Sequence, residues 1–347
     1  MYNIKHYFNS MIKSLFYVSI FFLLFSCNTE PTMKVDVADV PVPQLTINRL
    51  EEDVFAIDTM HLKESVGKVH HKYGNFFNSY ISGVLNTGGV TDSSAADMLK
   101  RFIRDRDMKD AYSNLKKEYP DVEFLKHDFT QCFKYYEHYF PKRKLPKVVT
   151  MMSGFNYSVV TLDSTIGIGL EMYMGTKNKF YDALGLPMYK KKYMNRENIM
   201  PDAVRGWLLN DFPYNMNKND FLSEIIYLGK IMYASDALLP ETPDTLKMQY
   251  SVKQTQYCTQ NEFNVWSYFI AQKLLYTTDQ AEIMKFTKDG PFTTAFSKAA
   301  PPRIGYWMGY RIVKKYMKSN PDITLQQLLD EKDAQKILTK AKYKPAK

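Results

Sequence analysis

Residues 146–171 read Pro-Lys-Val-Val-Thr-Met-Met-Ser-Gly-Phe-Asn-Tyr-Ser-Val-Val-Thr-Leu-Asp-Ser-Thr-Ile-Gly-Ile-Gly-Leu-Glu. Before Pro146 the apolar residues recur at three- and four-residue steps; within this stretch they cluster or alternate instead. Val148-Val149 predicts a strand. Tyr157–Leu162 and Thr165–Leu170 predict the two arms of a hairpin turning across Asp163-Ser164. Side chains alternate across a strand, so Ile166, Ile168 and Leu170 are expected on the core face, with Gly167, Gly169 and Glu171 opposite. Two glycines leave that second face bare, open to close approach by a peptide, a ligand or a neighbouring helix.

Outward from this segment the pattern is helical. Residues 60–85 carry Val66, Val69, Tyr73, Phe76, Tyr80 and Val84 on one face, and Asn86-Thr87-Gly88-Gly89 closes the run. Helices are expected over 93–104, 107–118 and 121–140, the last with Leu125, Phe129, Cys132, Phe133 and Tyr136 on one side. Thr46 to Ile57 reads as a first strand running into a turn. Beyond the hairpin, helices are expected at 201–211, 220–238, 256–276, 303–318 and 324–340. No internal repeat is visible. The fold class is α+β: a mostly helical body over 45–347, with a small, mainly antiparallel sheet. Its part up to about residue 145 is helical, and the sheet and further helices follow.

The 347 residues are 45% hydrophobic, which excludes a wholly disordered chain, and three cysteines exclude a disulfide-dense scaffold. Residues 1–26 carry Lys5 and Lys13, no acid, and an apolar run from Leu15 to Phe25. That is a signal-peptide pattern, too short for a confident membrane span. Leu24-Phe25-Ser26-Cys27 resembles a bacterial lipobox, which implies cleavage after Ser26, diacylglycerol on the Cys27 sulfur and an N-acyl chain on its amine. The alternatives are an ordinary signal peptide or an N-terminal anchor. Residues 27–44, with Pro31, Pro41 and Pro43, read as a linker from lipid to body. No acid-rich run follows Cys27, so a periplasm-facing lipid anchor in the cell envelope is expected.

Cleavage removes two lysines and leaves a formal charge of +7 rather than +9. Lys332, Lys336, Lys340, Lys342, Lys344 and Lys347 crowd the C-terminus. They suit an anionic lipid or a cell-wall polymer such as peptidoglycan, or form a solvated helix face. Nucleic acid is not an expected partner of an exported chain. Cys132 and Cys258 either pair in an oxidising compartment or stay buried as thiols.

No cofactor or metal is called for by any motif. All six histidines lie at or before His138, and H-E-x-x-H is absent. His127 and His138 share a helix face but stand ~16 Å apart at 1.5 Å per residue. A G-x-S-x-G elbow, a P-loop and a G-x-G-x-x-G fingerprint are also missing. The helix at 220–238 is apolar nearly all round and so buried, with Glu224, Lys230 and Asp236 requiring interior partners or lining a polar cleft. In Pro301–Tyr316, Gly305 and Gly309 sit four apart as a flat patch for close helix contact. Arg311 falls on the apolar side, paired with Glu262 or Glu224, or with its head in water.

Several segments, taken in order, resemble the gliding motility lipoprotein GldB family of Bacteroidota. They are the Cys27 lipobox, Ile47-Asn-Arg-Leu-Glu-Glu-Asp-Val-Phe55 and Ile166-Gly-Ile-Gly-Leu-Glu-Met-Tyr-Met-Gly175. They continue with Gly229-Lys-Ile-Met-Tyr-Ala-Ser-Asp-Ala-Leu-Leu-Pro240, Pro302-Arg-Ile-Gly-Tyr-Trp-Met-Gly309, and Leu325-Gln-Gln-Leu-Leu329 running to Lys342-Tyr-Lys-Pro345. The resemblance implies an envelope lipoprotein of the gliding machinery, tied to type IX secretion and partnered by other envelope proteins. It also implies a distant kinship to H-E-x-x-H zinc proteases. In that comparison the metal helix falls near Ala203–Leu209, which carries Arg205 and no His or Glu, and Glu224 is the only Glu on the helix of the third ligand. The implied picture is a degenerate, metal-free zincin-like pseudoenzyme whose glycine strand is the remnant of a substrate-pairing edge. The candidate binding cleft comprises Gly167, Gly169, Glu171, Arg205, Glu224, Glu262, Arg303 and Arg311, with no catalytic residue. The competing expectation is a metal-independent hydrolase acting on peptide or glycan through Glu171, Glu224 or Glu262.

Overall fold

The computed structural model describes residues 35–88, 93–162 and 164–346. The expected signal peptide and Cys27 lie outside the described residues, as does Asp163 of the expected turn. The latter part of the linker rests on the body: Val37 is buried, and Lys134 Nζ donates to Ala38 O at 2.7 Å.

The first strand, β1 (Ile47–Arg49), is shorter than expected and gives way to helix α1 (Leu50–Phe55). The reason is local. Glu51, Glu52 and Asp53 fill the first turn, where the helix dipole favours acids, and Leu50 and Val54 fall one turn apart, both fully buried. Arg49 clamps this corner, donating to Tyr119 O at 2.9 Å and to Glu51 Oε1 at 2.8 Å. Thr150 Oγ1 donates to the other Glu51 oxygen at 2.8 Å.

The expected helix over 60–85 divides into α2 (Leu62–Tyr73) and α3 (Asn75–Ser79), the latter continuing as a π turn over Tyr80–Val84. Gly74 makes the break, at φ 56°, ψ −134°, a conformation that L side chains rarely adopt. The apolar stripe survives, with Val69, Phe76, Tyr80 and Val84 buried. Helices α4 (Ser93–Arg104), α5 (Arg106–Glu118) and α6 (Glu123–Tyr139) fall where the periodicity places them.

Strands β2 (Lys147–Met151), β3 (Val159–Leu162) and β4 (Thr165–Gly169) complete one four-stranded sheet of order β1-β2-β4-β3. The β3–β4 pair is the expected antiparallel hairpin, but β1–β2 and β2–β4 are parallel, so the sheet is mixed rather than mainly antiparallel. The long helical crossover between β1 and β2 permits a parallel pair, which no tight turn can make. β4 is therefore interior, with Gly167 facing Val149 on one side and Val160 on the other. This corrects the reading of the glycine strand as a pairing edge: the edges are β1 and β3. The bare glycine face is filled from within. A Cβ on Gly167 would stand 2.5 Å from Phe76 Cζ of α3, and one on Gly169 would stand 2.2 Å from Tyr157 O.

After a 3₁₀ turn at Leu170–Tyr173 come α7 (Lys179–Ala183), α8 (Met188–Lys191), α9 (Ile199–Asp211) and α10 (Phe221–Leu238). Then follow α11 (Asp244–Met248), α12 (Val252–Gln260), α13 (Glu262–Ala271), α14 (Gln280–Thr287), α15 (Ile304–Ser319), α16 (Leu325–Asp330) and α17 (Ala334–Ala341). The runs 256–276 and 324–340, expected as single helices, are each interrupted. α13 begins anew after Asn261, and a Thr324–Gln327 capping box and an Asp333 cap start α16 and α17 separately.

The α10–α15 pair is the centre of the helical layer. A Cβ on Gly309 would lie 1.7 Å from Ile225 O, and one on Gly229 would lie 2.3 Å from the Gly309 carbonyl carbon. The flat patch expected at Gly305 and Gly309 is this contact. α10 is buried along most of its length, as its composition requires. Lys230, 1% exposed, donates to Leu329 O at 3.1 Å and Glu331 O at 2.7 Å, capping the C-terminal end of α16. Burial pulls its pKa down to about 8. Asp236 pairs with Lys247 at 2.6 Å and accepts from the Tyr310 hydroxyl.

Candidate binding cleft

Arg205 and Arg303, two of the eight expected cleft residues, meet in one polar cluster between the sheet and the helices. Arg205 projects from α9 beside Asp202, three residues earlier on the same face, at 2.6 Å. The same Asp202 oxygen accepts from Gln249 Nε2 at 2.8 Å, and its other oxygen accepts from Tyr173 OH at 3.0 Å. Gln249 reaches on to Arg303, whose Nη2 lies 3.5 Å from Gln249 Oε1 and donates to Met248 O at 2.9 Å. Burial raises the Asp202 pKa, opposed chiefly by the Arg205 guanidinium.

Arg303 and Gln249 both occupy the left-handed region, at φ 55° and φ 54°. Such backbone costs about 1 kcal/mol or more for a non-glycine residue and persists where surrounding contacts impose it. Here Tyr250 OH supplies one, donating to Pro302 O at 2.7 Å and Arg303 O at 3.1 Å. The Arg303 guanidinium stands 6.0 Å from the Tyr306 ring. Four buried atoms in and beside this cluster have no hydrogen-bond partner: Arg205 Nη1, Arg303 Nε, Tyr306 OH and Tyr193 OH. The nearest carboxylate to Arg303 Nε, Asp289, is 3.7 Å away. Asn198, fully buried one turn before Asp202, leaves both amide atoms unpartnered as well.

Glu171 lies in a different setting. It is fully buried, and Oε1 accepts from Ser153 N at 2.5 Å, Ser153 Oγ at 2.5 Å and Phe155 N at 3.2 Å. Gly154 and Phe155, at φ 69° and φ 65°, curl the loop so that these donors converge. Oε2 has no partner. Burial pushes the pKa up to about 7 against the pull of the Ser153 and Phe155 hydrogen bonds. Ser153, Gly154 and Asn156 also line a cavity of about 400 Å³ with Arg101, Phe102 and Asp105.

Gly169 abuts the Glu171 carboxyl, a Cβ there standing 3.4 Å from Glu171 Oε2, and the other expected residues are apart from both sites. Glu262 Oε1 accepts from Arg311 Nε at 2.9 Å and Tyr343 OH at 2.6 Å, so of the two partners weighed for Arg311 the structure selects Glu262. Glu224 is partly buried on α10, which raises its pKa. Glu171, Glu224 and Glu262 share no hydrogen-bond partner, and Gly167 is sheet interior. The expected eight-residue cleft is thus not one site.

Sequence reasoning missed Asp202, Tyr173, Gln249 and Tyr306. A signal existed for the first: Asp202 and Arg205 form an i, i+3 pair of opposite charges in an otherwise apolar helix. The others arrive from distant segments. It also missed an apolar groove of about 480 Å³ between α6, the start of α9 and residues 238–246. Cys132 lines that groove, and Cys132 and Cys258 are both free and buried. Among the described residues no group of three or more His, Cys, Asp and Glu is arranged to hold a metal, and no helix is long and apolar enough to cross a membrane.

Comparison with known proteins finds one family whose model, described as gliding motility protein GldB, matches residues 30–345. No curated protein and no solved structure matches the chain.

Proposed function

The chain belongs to the gliding motility protein GldB family, and from that premise we propose that it is a lipid-anchored envelope protein that docks another component of the gliding and type IX secretion machinery. In this reading Cys27 carries diacylglycerol and an N-acyl chain, and the linker holds the body on the periplasmic side of a membrane. Two acyl signals or more make such an anchor stable. The observation that carries the reading is the span of the family match, which takes in nearly the whole chain. The zinc-protease kinship and the pseudoenzyme role belong to the same proposal. They are supported by α9, where the residues facing the polar cluster are Asp202 and Arg205, locked to each other.

The experiment is affinity capture of the tagged, lipidated protein from cross-linked cells, followed by mass spectrometry. Enrichment of gliding or secretion components is the expected result. Their absence, with the bait abundant and lipidated, contradicts the docking role.

One observation favours the hydrolase instead: a carboxyl with a pKa of about 7 that accepts a hydrogen bond from a serine hydroxyl beside a cavity. Its weakness is that Glu171 is fully buried and its Oε1 is already crowded by donors. Hydrolysis of peptide or glycan by wild type, lost in a folded Glu171→Gln variant, would replace docking with catalysis.

A further inference from the structure

The polar cluster at α9 has a surplus of one kind. Every unpartnered atom of its Arg and Tyr side chains is a hydrogen-bond donor: Arg205 Nη1, Arg303 Nε, Tyr306 OH and Tyr193 OH. Its inner carboxylate is engaged, and the unpartnered amide oxygen beside it, Asn198 Oδ1, carries no charge. Both Asp202 oxygens are taken by Arg205, Gln249 and Tyr173, and Gln249 Oε1 faces Arg303. Buried donors left without acceptors are costly and rare in folded proteins. Tyr306 is only 6% exposed, so its hydroxyl is held inside rather than turned to bulk water.

The two guanidiniums are also held from opposite sides. Arg205 is fixed by Asp202 on α9, while Arg303 is fixed by the Met248 carbonyl and its left-handed backbone at the start of α15. Gln249 bridges the two, so their relative position is set before any ligand arrives, which lowers the cost of binding. The cluster is not sealed: the Arg205 and Arg303 side chains are 20% and 13% exposed. At the rim stands Asp289, 51% exposed and 3.7 Å from Arg303 Nε, too far for a hydrogen bond and easily displaced. With Asp289 turned to solvent, two guanidiniums face one inner carboxylate, and Lys192, close to Arg303 and Asp289, adds to a positive excess suited to an anionic group.

We propose that Arg205, Arg303 and Tyr306 form a receptor for a single oxyanion group, a carboxylate or a phosphate, entering past Asp289. Planar guanidiniums are the side chains best matched to such groups, offering paired N–H donors to paired oxygens. Arg205 Nη1 and Arg303 Nε reach the anion from two sides, and the Tyr306 hydroxyl donates to it. The receptor is a property of the isolated protein and does not rest on the docking role.

The test uses the full-length lipidated chain in detergent, titrated with sodium acetate or sodium phosphate against sodium chloride at equal ionic strength. Thermal unfolding and titration calorimetry are the readouts. Wild type is expected to bind one equivalent of at least one probe and to melt about 2–4 °C higher at saturation. Arg303→Gln is expected to abolish both responses. Tyr306→Phe is expected to weaken binding about tenfold, the worth of one hydrogen bond to a charged group, while melting no lower than wild type in chloride, since the lost hydroxyl has no partner. Response to acetate alone assigns a carboxylate, and to phosphate alone a phosphate group. No response to either probe, or equal responses in wild type and both variants, overturns the proposal.

Discussion

Two buried polar sites of this protein are opposites. Around Glu171 donors outnumber the need: three of them converge on one carboxylate oxygen, and what is left over is an acceptor, Oε2, sealed from solvent. Around Arg205 and Arg303 the carboxylate is engaged, and what is left over, besides the Asn198 amide, is a set of buried donors on partly exposed arginines. The first site can shed its charge, because a proton on Glu171 makes the buried carboxyl neutral. The second cannot, because guanidiniums do not give up protons. Burial alone therefore does not distinguish structure from function; the kind of group left unpaired does.

The sharpest way to break this contrast is to remove each anion. Glu171→Ala strands two backbone N–H groups in a closed site, while the Ser153 hydroxyl keeps Tyr157 O at 3.1 Å, and is expected to cost about 3 kcal/mol. Asp202→Ala strands Arg205, but that side chain is 20% exposed and water can reach the vacated space, so about 2 kcal/mol is expected. Denaturant unfolding measures both. Equal losses would mean that the Arg site is as closed as the Glu171 site.

Next in size is the share of the pH dependence set by Glu171; Glu51, Asp202, Glu224 and Asp236, also raised by burial, add slopes of the same sign. The folded pKa of Glu171 is about 7 against an ordinary 4.5. Between those values the unfolded chain has released the proton while the folded chain keeps it, so stability falls as pH rises. The decline begins near pH 4.5, totals about 3 kcal/mol, and ends just above pH 7. Glu171→Gln keeps an oxygen for the three donors and places an amide where Oε2 stands. It is expected to flatten the slope and to be more stable than wild type at pH 8. A slope unchanged in Glu171→Gln would remove the neutral acid from the account.

The smallest effect compares two tyrosines. Tyr173→Phe loses the hydrogen bond to Asp202 and is expected to cost about 1 kcal/mol. Tyr306→Phe loses an unpartnered hydroxyl and is expected to cost nothing in the absence of anion. A matching loss in both would show that Tyr306 is satisfied within the protein.

Much of this architecture was legible in the sequence, wherever the cause is local. Period 3.6 located α4, α5, α6, α10 and α15, and the spacing of Gly305 and Gly309 located the close helix contact. The hairpin was equally plain. Strand order was not, because β2 reaches β4 only after β3 has been passed, and no short-range pattern states which neighbour a strand takes. The two glycines of β4 could be read as an open edge or as room for a core side chain, and only the position of Phe76 decides. The Arg205 site shows the same limit. Its Asp202–Arg205 pair lies within one helical turn. Gln249, 47 residues beyond Asp202, and Arg303, 54 beyond Gln249, join it only through tertiary packing. Glu262 was one of two partners open to Arg311, and the structure makes that pair, separately, on the α13–α15 side.

The central claim is that one buried site is closed and the other awaits an acceptor. A high-resolution crystal structure of the mature chain, grown with acetate and phosphate present, tests it most directly. The account predicts a non-protein oxygen within about 3.2 Å of Arg205 Nη1, Arg303 Nε and Tyr306 OH, and none at Glu171 Oε2. Protein groups saturating all three donors, or ordered water reaching Glu171 Oε2, would contradict it.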